Sequence, residues 1–420
     1  MVIPIKPAGA LASAGRASAH GTITAHTQPG AITLAALPPL SLYVHFPWCV
    51  KKCPYCDFNS HAVTGVSGIS GTAAAIPEAR YIDALMRDLE LSLPLIWGRR
   101  IHSIFFGGGT PSLLSPKGFE RLISEIRSRS GLEADAEITL EANPGTFEAE
   151  KFAAYRASGV NRLSIGIQSF NDVQLQALGR IHGSAEAINA IKIAQSLFDN
   201  FNLDLMYALP GQTPAQLQRE LDTALGFNPP HLSYYHLTLE PNTLFAKYPP
   251  TLPDDDSAAQ MQSLIEARLS QAGYAHYETS AYAKQGHTSR HNINYWRFGD
   301  YLGIGAGAHG KLSFAHRILR TTKLRQPESY MTGCEAGAPL AEEREVGIKE
   351  LPFEYMMNAL RLTEGFAVRE FGERTGLTLA AVEDALNQAE RKGLITRDHL
   401  RITPTARGRL FLNDLLQLFL

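Results

Sequence analysis

The sequence predicts an α/β chain built on a parallel sheet, followed by a small C-terminal domain of another kind. From Ser41 onward, short runs rich in β-branched and aromatic residues alternate with longer amphipathic stretches, the pattern of repeated βα units. Six such runs stand out, near residues 41–46, 101–106, 136–141, 161–167, 201–206 and 231–238. Beyond about residue 340 the composition changes to charged amphipathic helices.

Taken in order, residues 1–40 are rich in Ala, Gly, Thr and Pro, carry only Lys6 and Arg16 as charges, and lack periodicity of either kind. They are expected to be a disordered tail. Residues 41–310 hold the βα units, 311–340 read as a linker, and 341–420 form the last domain. Within the first domain, residues 62–79 are too rich in small residues to pack a core and read as a flexible insertion. In the last domain, helical stretches at 353–361, 368–375 and 379–392 precede a short β-wing at 400–404, a winged-helix-like order. Arg391, Lys392, Arg397, Arg401, Arg407 and Arg409 stand there against Asp398. The net charge of −2 gives little attraction for phosphate, so a docking face for substrate or client protein is expected rather than nucleic acid. No apolar run reaches the roughly 18–20 residues that span a bilayer.

Cysteine usage is the most informative feature. Cys49, Cys53 and Cys56 form a C-x3-C-x2-C cluster just after the first strand, and the remaining cysteine, Cys334, lies far off without a motif. A disulfide framework does not follow from that spacing, and scarce, clustered thiols fit a reducing compartment, so a cytoplasmic protein is expected. Three thiolates are one ligand short of a closed site, which suggests a metal centre with one position open. Sulfur donors admit iron–sulfur or zinc, and a Cys3His zinc site completed by His45 or His61 is the competing reading.

In parallel α/β folds, ligands collect where strands end. Here the strand ends carry the cysteine loop, Gly107–Gly109 with Thr110, Glu141 with Asn143-Pro144, and Gln168-Ser169; Asp204 lies within the fifth strand and His236 near the end of the sixth. Singly, each has a plain explanation: the glycines a tight turn, the acids salt-bridged strand ends, Arg180 a solvated helix end. Their conjunction at one mouth is what points to a site.

These residues match a known family. The chain resembles radical S-adenosylmethionine (radical SAM) proteins, in the branch like oxygen-independent coproporphyrinogen III oxidase, over about residues 41–415. The carriers are Tyr43-Val44-His45-Phe46-Pro47-Trp48-Cys49, Cys53-Pro54-Tyr55-Cys56, Gly107-Gly108-Gly109-Thr110-Pro111-Ser112, Glu141-Ala142-Asn143-Pro144, Gly166-Ile167-Gln168-Ser169-Phe170 and Asp204-Leu205-Met206-Tyr207. The resemblance implies a partial (β/α)6 TIM-type barrel. It further implies a 4Fe-4S cluster on Cys49, Cys53 and Cys56, with SAM chelating the fourth iron and an electron donor protein reducing the cluster. Tyr43 and Tyr55 would lie beside the cluster. Gly108, Gly109 and Thr110 would let the backbone approach the methionyl end of SAM, and Glu141, Gln168, Arg180 and Asp204 would contact SAM.

One position departs from the oxidase pattern. Where that enzyme has a further cysteine two residues past the third, this sequence has Phe58, as in the sibling branch of haem chaperones (HemW-type). His291-Asn292-Ile293-Asn294-Tyr295-Trp296 resembles the H-N-x-x-Y-W signature of that branch, in which the histidine is implicated in haem binding. The reading is therefore a haem chaperone that delivers haem to client haemoproteins, with coproporphyrinogen oxidation and a zinc-stabilised nucleic-acid-binding protein as the alternatives.

Overall fold

The computed structural model describes residues 30–63, 76–96, 98–146 and 148–420. The first 29 residues of the expected tail and most of the expected insertion lie outside that range.

All six sequence-expected strands are present: β1 (Leu40–Phe46), β2 (Arg100–Gly108), β3 (Gly131–Ala142), β4 (Arg162–Gln168), β5 (Phe201–Tyr207) and β6 (His231–His236). They pair in that order, all parallel. The crossovers are α1 (Glu78–Ile96), α2 (Pro116–Arg129), α3 (Ala149–Ser158), α4 (Asp172–Ala177) with α5 (Ser184–Leu197), and α6 (Pro214–Gly226). Helix starts follow local chemistry: Ser115 caps α2 through the Gly118 amide, and Thr213 and Gln216 form a capping box on α6, each before a proline at the first turn.

Strands buried on both faces read as near-continuous apolar runs. Leu42, Val44 and Phe46 of β1 belong to the same core as Tyr81, Leu85 and Leu89 of α1, all fully buried. The alternate residues Ser41, Tyr43 and His45 carry the polar groups toward the barrel interior, as period-two geometry requires.

The barrel does not close, because β6 and β1 are not neighbours. Beyond β6 lie the antiparallel β8 (Ala281–Ala283) and β7 (Ala275–Glu278). Beyond β1 lies β9 (Asp300–Ile304), parallel to it, then β10 (His309–Phe314), β11 (Arg317–Lys323) and β12 (Leu340–Glu345), antiparallel in turn, which makes a sheet of twelve strands. β12 is its margin, and every one of its residues is exposed.

The expected linker at 311–340 is therefore corrected. Its polar residues hid a hairpin, in which Leu312 pairs with Leu319 and Phe314 with Arg317, followed by helix α7 (Pro327–Glu335) packed on α1. Lys311 is polar in sequence yet buried, since its ammonium reaches Asp300 at 2.9 Å over the ring of Phe298. The end of the expected tail is corrected as well. Ile32 and Leu34 are buried in the C-terminal core, and the Leu34 amide donates to Ala315 O at 2.8 Å.

The C-terminal domain has the expected winged-helix-like order, with helices Leu351–Ala359, Val368–Thr375 and Glu383–Arg391 and a small three-stranded sheet. Arg397 is paired with Glu383 and Glu390, and Arg401 donates to Glu364 O, so part of its basic face is neutralised internally. No helix among the described residues is long and apolar enough to cross a membrane.

Candidate functional site

The carboxyl ends of the parallel strands open on one cavity of about 410 Å³. The cysteine loop forms its wall. The loop leaves β1 at Pro47, returns as His61–Ala62 paired with Trp48–Cys49, and is closed at its base by the glycine turn of β2. There Gly109 N donates to Phe46 O and Thr110 N to Trp48 O, both at 2.7 Å. Glycine is a steric requirement here. A Cβ on Gly109 would stand 2.5 Å from Trp48 O, and one on Gly108, whose φ is +110°, 2.4 Å from the His45 ring.

Each thiol has a donor or hydroxyl partner. Thr110 Oγ1 donates to Cys49 Sγ at 3.5 Å, Arg180 Nη1 to Cys53 Sγ at 3.5 Å, and Cys56 Sγ lies 3.7 Å from Ser60 Oγ. Burial pushes the Cys49 and Cys56 thiols up from their ordinary range, an effect a bound cation reverses. His45 cannot supply a fourth ligand. Its Nε2 donates to Asn59 O at 2.9 Å, so its Nδ1 accepts from Tyr43 Oη at 3.0 Å and both nitrogens are engaged. The three sulfur donors line the cavity.

Opposite the sulfurs are two half-buried carboxyls. Glu141 accepts from Gly108 N at 3.2 Å, and burial together with the nearby Asp204 pushes its pKa up to about 8. Asp204 accepts from Ser164 Oγ at 2.7 Å and Asn202 Nδ2 at 2.8 Å, and burial raises its pKa too. Two such groups call for an ammonium or hydroxyl-rich ligand. Arg180 is half-buried between the loop and β4, donating to Gly166 O at 3.0 Å and to Asn143 Oδ1, with its Nε left without a partner. Gln168 lines the cavity in the left-handed region, φ +66°, a conformation rare for a side-chain-bearing residue and typical of functional sites. Tyr55 lines it as well, its ring 6.4 Å from that of Phe245. Soft donors on one wall and half-buried oxygen acceptors on the other fit an iron–sulfur cluster with an amino-acid-like ligand.

Of the expected site residues, all but Tyr43 and His291 line this cavity. Tyr43 lies just beneath, hydrogen-bonded to His45, with its pKa raised by burial and then by Glu141. His291 lies outside this cavity, in the barrel interior. It is 2% exposed, its Nδ1 meets Ser103 Oγ at 3.1 Å, and its ring is held between Phe105 and Tyr295, both at 5.0 Å. Burial pushes its pKa down to about 3. It begins a short helix, Arg290–Trp296, whose backbone amides at Arg290 and His291 are capped by Glu137. In this conformation the side chain packs the barrel interior, with its Nε2 left without a hydrogen-bond partner.

Residues 43–224 match the Radical SAM superfamily and residues 349–411 the HemN C-terminal domain. The chain is 50% identical over 391 residues to Heme chaperone HemW of Escherichia coli (strain K12), covering 92% of this chain and 100% of that one. The chain belongs to the HemW family. It is also 35% identical over 396 residues to the Radical S-adenosyl methionine domain-containing protein 1, mitochondrial, of Bos taurus, covering 90% of this chain and 86% of that one. The structure of coproporphyrinogen III oxidase (HemN) from Escherichia coli superposes with a TM-score of 0.76 at 24% identity, over 91% and 90% of the two chains, which speaks for the shared fold.

Membership of the radical SAM superfamily implies the 4Fe-4S cluster and SAM, in keeping with the donor set above. Asn143, which also lines the cavity, has a larger part than the motif Glu141-Ala142-Asn143-Pro144 announces. Asn143 joins Thr110 Oγ1, at 2.9 Å, to Arg180, and so couples the glycine turn to the cation that touches Cys53. Its signal was the Asn-Pro step directly after a strand.

Proposed function

We propose that this HemW-family chain holds a 4Fe-4S cluster on Cys49, Cys53 and Cys56, binds SAM in the adjoining cavity, and carries haem to client haemoproteins in the cytoplasm. The observation that carries the reading is three partnered thiols facing two half-buried carboxyls, in a chain with Phe58 where an oxidase has a cysteine. Phe58 is 63% exposed at the cavity edge, a place that suits an apolar cargo contact. When bound, the cluster supplies an electron to the sulfonium of SAM. The chain's own residues orient and enclose. Glu141 and Asp204 accept from ammonium and ribose hydroxyl groups, Arg180 meets a carboxylate, and the glycine turn lets the backbone close on the ligand. An electron donor protein is the expected reductant.

The test uses one anaerobic preparation. Reconstitution is expected to load about four irons per chain with three cysteine ligands. Haem then binds and passes to an apo-haemoprotein, while incubation with SAM, reductant and coproporphyrinogen III leaves the porphyrinogen unchanged. Accumulation of protoporphyrinogen would replace the chaperone reading with the oxidase one.

A further inference from the structure

A haem carrier must present the iron with a ligand and the macrocycle with an apolar surface, and the cavity mouth offers both. The cavity lies in the size range of a small-molecule site, and the cluster and SAM claim its sulfur and carboxyl walls. A flat macrocycle is left with the rim. There the exposed apolar residues gather: Phe58 and Ile181 on the lining, Leu239 between lining residues Thr238 and Glu240, and Leu244 in the adjoining groove. Single exposed apolar residues need no explanation, but a cluster at a cavity mouth marks a binding surface.

The cavity lining contains one imidazole, His236, the last residue of β6. It is exposed, makes no hydrogen bond to a described residue, and is steadied by an edge-to-face contact with Tyr207 at 5.2 Å. The other histidines near the barrel axis are spent or enclosed: His45 on Tyr43 and Asn59, His182 on Ile167 O, His291 beneath Phe105. Lys51 lines the cavity and Lys52 and Lys247 the adjoining groove, against Asp57 and Glu240, so ammonium groups outnumber carboxylates along this rim. That balance suits the two propionates of an iron porphyrin.

We propose that His236 is the protein ligand to the haem iron, with the porphyrin lying across the cavity mouth against Phe58, Ile181, Leu239 and Leu244. The assignment rests on the chaperone reading above and places the cargo over the cluster and SAM. Neutral imidazole is a good iron ligand, and aromatic and aliphatic side chains suit the macrocycle face.

The experiment titrates cluster-loaded full-length protein with ferric haem and, separately, with metal-free protoporphyrin IX, which has no iron to ligate. Wild type, His236→Ala, His291→Ala and Phe58→Asp are compared. His236→Ala is expected to shift the Soret band and weaken haem binding about tenfold or more, to leave protoporphyrin binding unchanged, and to recover the wild-type spectrum with added imidazole. Phe58→Asp is expected to weaken both ligands. A His236→Ala protein with wild-type spectrum and affinity overturns the assignment, as does loss of ligation in His291→Ala alone. Failure of wild type to bind haem at all would instead remove the chaperone reading.

Discussion

Glu141 shows how one half-buried side chain makes the site depend on pH. Its carboxyl is raised from 4.5 to about 8, so the cluster-free protein is stabilised by the protonated form below the unfolded value and loses that stability as pH rises through the folded one. Glu220 and Glu278, each pushed up to about 7 by burial, act in the same window. Glu141→Gln is therefore expected to flatten, though not abolish, the fall in melting temperature of the cluster-free protein between about pH 5 and pH 8. Differential scanning fluorimetry across that range measures it, and parallel curves for the two proteins would contradict it. The same substitution is expected to weaken SAM binding by about 1.5–3 kcal/mol, the worth of a hydrogen bond to a charged group, as read by calorimetry on reconstituted protein.

At the scale of elements, the cysteine loop is only as well placed as the turn that braces it. Gly109→Ala drives a methyl into Trp48 O and is expected to cost about 1–3 kcal/mol and to lower iron content on reconstitution, as overpacking against backbone does. An unaltered iron content would show that the turn yields. Helix α1 depends on a different device. Asp88 is fully buried and accepts from Lys323 Nζ at 2.5 Å and Tyr330 Oη at 2.7 Å, which ties the first crossover to β11 and α7. Asp88→Ala leaves a buried ammonium unpaired and is expected to destabilise by about 3–5 kcal/mol in chemical denaturation. A loss under 1 kcal/mol would mean that water reaches Lys323.

At the scale of the whole molecule, the two domains and the segment before β1 share one core. Ile32 and Leu34 are buried together with Phe298, Ile318, Tyr355 and Phe371, and Gly376 leaves room for the backbone at Thr33. Ile32→Ala with Leu34→Ala is expected to lower stability by at least about 2–5 kcal/mol, the range for one large-to-alanine change in a core, whereas removing residues 1–29 leaves both side chains in place. A double variant that melts like wild type would refute this strap. The six parallel strands and the cavity residues were legible because burial on two faces writes continuous apolar runs, and because cysteines, glycines and acids fall just where those runs stop. The hairpin at 309–323 was not, since its strands bury polar residues, and Lys311 and Ser313 are understood only beside Asp300. His291 was only partly legible for a related reason: an imidazole among aromatic rings has one sequence pattern whether it packs or ligates. The exposed strand at residues 340–345 has a consequence for solubility. Its Ala-Glu-Glu-Arg-Glu run sets mostly like charge along the unpaired backbone, so strands of two copies meeting there repel before their amides can join. A carrier of greasy cargo is thereby protected from polymerising through its own sheet.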